Sequence, residues 1–165
     1  MIQSCPVTRN ARCHRHDAVV DLIAECLKRK EWQTRKELHI VGLERSYQPD
    51  LVVVKEGRSF IIDVAITTDS DASPMASVHR MKTIKYSVPA VMEAVKAVMN
   101  TETVEVLPAV MTWQGVWHKV AATALKKIYP DFLLGWAARR AIDGSGFIWA
   151  TYMRTPTMRA RSEPS

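Results

Sequence analysis

The chain has 165 residues, of which 47% are hydrophobic and 24% are charged, and these proportions are ordinary for one globular domain with its own core. No apolar run approaches the roughly 20 residues of a membrane-spanning helix, and the N-terminal segment lacks the apolar region of a secretory signal. The formal net charge of +6 favours a polyanionic partner such as nucleic acid, although many unrelated proteins share such a surplus. Three cysteines, Cys5, Cys13 and Cys26, without a signal sequence indicate a reducing, intracellular compartment.

The first elements in chain order are a helix and a short strand. An apolar stripe at helical spacing predicts the helix from about Asp17 to Lys30, and its members are Val19, Val20, Ile23, Cys26 and Leu27. Residues 37–41 predict a short strand, which a loop follows as far as residue 48. Residues 1–14 have no period, and we expect them to be the end of a unit that precedes the domain.

Two buried strands follow in the stretch YQPDLVVVKEGRSFIIDVAI. The runs DLVVV and SFIIDVAI are apolar almost throughout, which is typical of strands buried on both faces. A turn at Glu56-Gly57 joins them and predicts a hairpin. An acid stands at the entrance of the first run, Asp50, and another inside the second, Asp63, where an unpaired carboxylate would cost several kcal/mol.

The second half of the chain is mostly helical. A polar loop, TTDSDASP, precedes a predicted helix over residues 75–86, and Pro89 begins another. The strand VEVLPAVMTW comes next, and Pro108 places it at a sheet edge or bends it. Helices are predicted at 117–129, 131–141 and 147–153, followed by a disordered tail over residues 155–165. The order predicts an α/β fold with a small mixed central sheet flanked by helices.

Three carboxylates, Glu37, Asp50 and Asp63, surround the predicted sheet. Pairing the strands across the Glu56-Gly57 turn brings Asp50 and Asp63 to neighbouring positions at one end of the hairpin. Two adjacent carboxylates repel each other and are tolerated when a divalent cation neutralises both, and oxygen ligands suit Mg²⁺ or Mn²⁺ rather than Zn²⁺. The alternative is structural, since Pro-Asp is common in turns and helix caps, and acids also follow ordinary strands.

The helix after the hairpin offers cations for a phosphate-cleaving site. Lys82, Lys85 and Tyr86 are spaced i, i+3 and i+4 and therefore share one helix face, and Arg80 lies on the same helix. A metal-dependent nuclease needs such a cation close to the scissile phosphate. The same spacing also fits a plain solvated helix face.

At this point the motifs resemble a known family. QPDLVVVKEGRSFIIDVAI, then KTIKY, then MTWQGVWHK resemble the restriction-like endonuclease domain that ends the polyprotein of site-specific non-LTR retrotransposons, a member of the PD-(D/E)XK superfamily. The resemblance covers residues 5–152, nearly the whole chain. It implies a restriction-endonuclease-like domain over residues 15–154, with residues 1–14 as the remnant of an upstream zinc-knuckle linker.

The resemblance implies a role for each matching residue. Asp50 and Asp63 match the metal-binding aspartates, Lys82 matches the catalytic lysine, and Glu37 matches a further catalytic acid. In most of the superfamily the lysine stands two residues after the second acid, where this chain has Ala65. The retrotransposon lineage supplies its lysine from the next helix, and this chain fits that pattern.

The remaining matches are less direct. Lys85 is an alternative lysine donor, Tyr86 supports the site, and both are expected with Arg80 to contact DNA. Cys5 resembles the last ligand of a Cys-Cys-His-Cys zinc knuckle, but Arg9 stands where the family has histidine, and Cys5 to Cys13 is not a zinc spacing. A zinc site in this chain is therefore not expected.

Four more features complete the set of matches. His16 matches a family histidine and is expected just before the first helix, where it makes a helix contact. Trp113, Gly115 and Trp117 are placed by the match alone, as core anchors or as aromatic rings that stack on DNA.

The resemblance implies an Mg²⁺- or Mn²⁺-dependent DNA endonuclease that nicks double-stranded target DNA. The nick leaves a 3′-hydroxyl that primes copying of the element RNA by a reverse transcriptase located upstream in the polyprotein, and the location is nuclear. The rival expectation is a degenerate, non-catalytic nucleic-acid-binding remnant with the same fold. The intact Asp50, Asp63 and Lys82 favour the enzyme.

Overall fold

A four-stranded sheet with helices on both faces forms the protein in a computed structural model that describes residues 5–42, 44–68, 72–129 and 133–154. The helices and strands in chain order are α1 (Arg9–Arg29), β1 (Gln33–Lys36), β2 (Ile40–Val41), β3 (Ser46–Tyr47), β4 (Leu51–Lys55), β5 (Arg58–Thr67), α2 (Ala72–Tyr86), α3 (Pro89–Met99), β6 (Thr103–Thr112), α4 (Lys119–Ile128) and α5 (Leu133–Arg154). A short 3-10 helix, Pro6–Thr8, precedes α1. None of the helices in these ranges is long and apolar enough to cross a membrane.

The β4–β5 hairpin is the centre of the sheet and forms as the sequence predicts. The strands are antiparallel, with Val52 opposite Ile61. Glu56 and Gly57 in the turn both have positive φ, 52° and 72°. Two such residues give the tight turn whose twist matches that of the flanking strands, and glycine adopts this conformation without strain.

β6 completes a mixed sheet of order β1-β4-β5-β6. It runs parallel to β5, and Asp63 lies opposite Pro108. A parallel pair needs a long crossover, which α2 and α3 provide. Because β6 is an edge strand, Pro108 can lack an N–H there, as predicted from its sequence position.

Alternation along β5 assigns each side chain to one face of the sheet. Phe60, Ile62 and Val64 pack in the core that α1, α4 and α5 cover. Ile61 belongs to the opposite core, beneath α2 and α3, and Asp63 shares its parity and therefore its face. The result is a three-layer α/β/α domain, which confirms the predicted fold class.

The first helix begins earlier than the sequence pattern indicated. α1 starts at Arg9 rather than near Asp17, so residues 9–14 belong to it. Its first half packs on α5, where Ala11 and Arg15 are buried and Arg15 Nη1 donates a hydrogen bond of 2.8 Å to Ser145 Oγ. The apolar stripe does not extend into this half because an arginine lies at the contact.

Two other element predictions were wrong. Residues 37–41 do not form one strand: Glu37 has a φ of 50° and separates β1 from the short β2. The helices predicted at 131–141 and 147–153 are one helix, α5. Gly144 does not interrupt it, and a Cβ there would lie 2.6 Å from Arg15 Cγ, so glycine allows α1 and α5 to approach closely.

The predicted tail at 155–165 lies outside the described residues, as do residues 1–4. The assignment of residues 1–14 to a zinc-knuckle linker stays a prediction.

Candidate active site

The register of the hairpin places the two predicted aspartates at the same end of it. β4 begins at Leu51, which pairs with Ile62 on β5. Asp50 precedes Leu51 and Asp63 follows Ile62, so the two acids lie next to this pair. Asp50 lies just outside the strand and Asp63 lies inside one. Each carboxylate therefore has a different environment and different partners.

Asp63 is balanced by two side chains of α2. The residue is 3% exposed. Its Oδ1 accepts a hydrogen bond of 2.9 Å from the Tyr86 hydroxyl, and its Oδ2 accepts one from Lys82 Nζ. The ion pair and the hydroxyl together explain how a charge persists within an apolar strand. The helix spacing that put Lys82 and Tyr86 on one face is the reason that both reach it.

Tyr86 lies in the core and holds Asp63. Its ring is 0% exposed, and its hydroxyl also receives a hydrogen bond of 2.9 Å from Lys85 Nζ and lies 3.3 Å from Gln48 O. Burial, reinforced by the negative charge of Asp63, raises the pKa of Tyr86 above its usual range, so the phenol keeps its proton and acts as a donor. The expected contact of Tyr86 with DNA stays a prediction, and the ring has no exposed surface for it in this structure.

The side chain of Asp50 accepts a backbone hydrogen bond from β5 at the point just before β4 begins. Its Oδ2 accepts a hydrogen bond of 2.6 Å from the backbone N–H of Val64, a residue that has no partner on β4 because β4 starts at Leu51. The backbone carbonyl of Asp50 accepts another, of 3.1 Å, from the N–H of Glu37. The carboxylate is 20% exposed, so it is fixed by the backbone and still reaches solvent.

His16 is the residue whose place the sequence did not show. It lies within α1 rather than before it, and its Nε2 is 3.2 Å from Asp50 Oδ2 and 3.3 Å from Val64 O. Its Nδ1 is 3.2 Å from Asp17 Oδ1. Both ring nitrogens face acceptors, so an imidazolium satisfies every contact. The hydrogen bond with Asp50 raises the pKa of His16 to about 9, against the opposing effect of burial.

A signal for His16 was present in the sequence. His16 stands four residues before Val20 and eleven before Leu27, two buried residues of α1, so it extends the stripe that packs on the sheet. A polar residue in line with a buried stripe, near a strand end that carries an acid, indicates a paired histidine.

Asp50 and Glu37 open onto one cleft of about 210 Å³, whose full lining is His16, Asp17, Val20, Asp21, Lys36, Glu37 and Asp50. The left-handed backbone at Glu37 turns the chain there, directly after β1. Lys36 pairs with Asp21 across the cleft. Asp63 does not line it. The three predicted acids are thus divided: Asp50 and Glu37 share the cleft, and Asp63 is bound to α2 behind the end of the hairpin.

The donors at the cleft suit a hard cation. They are carboxylate oxygens, which Mg²⁺ and Mn²⁺ prefer. Within the described ranges no three His, Cys, Asp or Glu side chains are grouped closely enough to hold a metal ion by themselves. Mg²⁺ is usually held by only one or two carboxylates, with water and substrate phosphate as the other ligands. The residues present therefore suit a magnesium ion held by one or two carboxylates better than a zinc ion.

The other predicted residues lie around this centre. Arg80 is exposed on α2. Lys85 is partly buried, and its ammonium lies 4.6 Å from the centre of the Tyr86 ring, so its charge is held by the tyrosine. Cys5 is half-buried and Cys13 is exposed.

Two residues of the Trp-x-Gly-x-Trp motif contact α5. Trp117 Nε1 donates a hydrogen bond of 2.9 Å to Leu134 O. Gly115 has a φ of 82°, and a Cβ there would lie 3.0 Å from Ala138 Cβ. Both contacts join the end of β6 to α5, which supports the core-anchor alternative for Trp117.

The chain is similar in sequence to several known proteins. No protein-family model matches the chain. The chain is 25% identical over 159 residues, 95% of its length, to the "Retrovirus-related Pol polyprotein from type-1 retrotransposable element R2" of Bradysia coprophila, of which it covers 18%. It is 24% identical over 161 residues to a protein of the same name from Popillia japonica, of which it covers 33%. A further Popillia japonica protein of that name is 30% identical over 121 residues, with 17% of its length covered.

The similarity extends over nearly the whole chain in two of these relatives, and it identifies the chain as homologous to a region of the R2 Pol polyprotein. The chain spans between about a sixth and a third of the length of these relatives.

Proposed function

We propose that this chain is a metal-dependent DNA endonuclease domain, restriction-like and of the PD-(D/E)XK type, within a non-LTR retrotransposon polyprotein. The observation that carries the proposal is the ion pair between the buried Asp63 and the partly exposed Lys82, which lies at the hairpin end that also holds Asp50. A lysine from α2 reaches the second acid although the strand carries Ala65 at the usual lysine position. Homology to R2 Pol polyproteins supports a role in retrotransposition.

Asp50 and Asp63 are the proposed metal ligands, with Glu37 at the same cleft as Asp50. Asp63 faces α2 from the same end of the hairpin, and it would bind the metal through the oxygen that now accepts a hydrogen bond from Lys82. When bound, Mg²⁺ or Mn²⁺ would lower the pKa of a coordinated water and neutralise charge on the phosphate. The chain's own residues do the positioning. His16 and the Val64 N–H fix one oxygen of Asp50, which directs the remaining oxygen toward the cleft.

Lys82 supplies the positive charge that stabilises the pentavalent phosphate. Its ammonium is held by Asp63 and is 25% exposed, so it is both oriented and accessible. Tyr86 fixes the other oxygen of Asp63, which keeps that carboxylate from turning away. Arg80, exposed on the same helix, is the proposed contact to the DNA backbone.

The proposed substrate is double-stranded target DNA in the nucleus. A nick with a 3′-hydroxyl would prime synthesis by the reverse transcriptase of the same polyprotein on the element RNA. Both of these partners would be reached through the parent polyprotein.

The direct test is nicking of supercoiled plasmid in Mg²⁺ by wild type, Asp63→Asn and Lys82→Met. Arg139→Ala is the control, since this arginine is 83% exposed and lies on α5. Wild type and control should nick, and each site variant should lose at least about a hundredfold in rate. Circular dichroism checks that the variants are folded. Equal nicking by wild type and a folded Asp63→Asn would refute the proposed site.

A non-catalytic DNA-binding remnant is the second candidate. It is favoured by one observation, namely that both aspartates already have cationic partners, His16 and Lys82, with Asp63 almost fully buried. DNA binding without nicking by wild type, in both Mg²⁺ and Mn²⁺, would support it.

A further inference from the structure

The exposed side of the first half of α1 carries a basic stripe. Arg9, Arg12, Cys13 and His16 follow one another at i, i+3, i+4 and i+7, so they lie along one line of the helix. A shallow groove of about 360 Å³ runs along them, lined by Arg9, Arg12, Cys13, His16 and Asp17. His16 and Asp17 also line the acidic cleft of Asp50, so the groove and the cleft meet at these two residues.

The arginines of this groove lack acidic partners among the described residues. Arg12 reaches only the carbonyl of Cys5, at 3.5 Å, and its Nε is buried with no hydrogen-bond partner there. Such an excess of positive charge favours an anion in the groove.

The spacing along α1 suits a nucleic-acid backbone. At 1.5 Å per residue, Arg12 lies about 6 Å and Arg9 about 10 Å along the helix from His16. One strand of a duplex rises about 3.4 Å per nucleotide. With α1 lying along the duplex axis, the two arginines are therefore roughly two and three nucleotides away from the cleft.

We propose that this groove binds the phosphodiester backbone of target DNA on one side of the scissile phosphate, two to three nucleotides from it. The inference rests on the proposed function, because it takes the cleft of Asp50 as the place of cleavage. The groove fixes the register of the strand, and neither arginine acts on the reacting atoms.

The test measures binding of the full chain to a short DNA duplex in EDTA, over a range of salt concentrations. The variants are Arg9→Ala with Arg12→Ala, and as a control Arg139→Ala with Arg140→Ala, which removes the same charge from exposed positions on α5. We expect about a tenfold or greater loss of affinity for the groove variant. Its log–log salt slope should fall by about 1.8, since each phosphate contact contributes about 0.9. The control should keep the slope of wild type.

A second variant protects the test from misfolding. Arg9→Glu changes an exposed residue and should weaken DNA binding at least as much as the double alanine change. Equal affinities and slopes in groove and control variants would overturn the proposal, as would the absence of DNA binding by wild type. Binding to single-stranded RNA is measured in parallel. If the groove variants lose affinity for RNA and not for DNA, the proposal is also overturned, because the groove would then bind element RNA.

The two proposals fail differently. If the wild type does not nick and the groove variant binds DNA poorly, the endonuclease proposal is refuted and the groove remains a DNA-binding surface. Nicking by wild type with unaltered binding by both groove variants refutes the groove alone. Cys13 adds a positional readout, since its exposed thiol should attack a mixed disulfide tethered to the DNA backbone in the groove, forming a protein–DNA disulfide and releasing the small thiol. Cys13→Ser should abolish that product.

Discussion

Replacing His16 by glutamine should remove a pH-dependent contribution to stability. In the wild type, the hydrogen bond with Asp50 raises the pKa of His16 from 6.5 to about 9. A raised pKa means that the folded state holds the proton more tightly than the unfolded state. The stabilisation is therefore complete below pH 6.5 and is lost as the pH rises through about 9.

The size of this effect follows from the same values. A pKa that moves from 6.5 to about 9 corresponds to roughly 3.4 kcal/mol, at 1.36 kcal/mol per pH unit. The side chain of His16 is 32% exposed, and solvent screening reduces the expected value to about 1–2 kcal/mol.

Urea denaturation in EDTA gives the measurement. The free energy of unfolding is determined at pH 6, 7.5 and 9.5 for wild type and His16→Gln. The deficit of the variant should be about 1–2 kcal/mol larger at pH 6 than at pH 9.5. His39→Gln, at an exposed position of the chain, controls for the loss of an imidazole. A deficit that stays constant across this range would refute the charged His16–Asp50 contact.

Three further changes test the packing and the site. Gly144→Ala should destabilise by more than about 2 kcal/mol, because the new Cβ would lie 2.6 Å from a carbon of α1. Gly146→Ala should not, because a Cβ there meets nothing within 4 Å beyond its chain neighbours and the backbone of its own helix. Equal urea midpoints for the two variants would contradict this. Tyr86→Phe removes the hydroxyl that donates a hydrogen bond of 2.9 Å to Asp63. It should lower the free energy of unfolding by about 1–2 kcal/mol, and an unchanged value would show that this bond is dispensable. Millimolar Mg²⁺ should raise the melting temperature of wild type and not that of Asp50→Asn, and an equal rise in both would exclude Asp50 as a ligand.

The hairpin could be predicted because its determinants are local. Two apolar runs and the Glu56-Gly57 turn lie within adjacent residues, and they decide both strands and their register. The edge position of Pro108 likewise follows from the missing N–H of one residue. The face shared by Lys82 and Tyr86 needed only the helical period.

The elements that were missed depend on contacts between distant residues. The start of α1 relies on Arg15 meeting Ser145, 130 residues away in the chain. β1 has the polar sequence QTRK and is a strand only because it pairs with β4. The separation of Asp50 from Asp63 has a similar cause. Asp50 lies beyond the end of its strand, where its carboxylate contacts His16 and the Val64 N–H.

In the proposed mechanism, a lysine carried by a helix makes catalysis sensitive to substitutions far from the substrate. A strand lysine would take its position from the backbone of the same strand as the acid, but Lys82 takes its position from how α2 rests on the sheet. Buried residues of α3, such as Val91 and Val95, pack in the same core as Tyr86, so conservative changes there could displace the ammonium while the fold persists. A screen that scores only expression or solubility would pass such variants, and a screen for nicking would discard them.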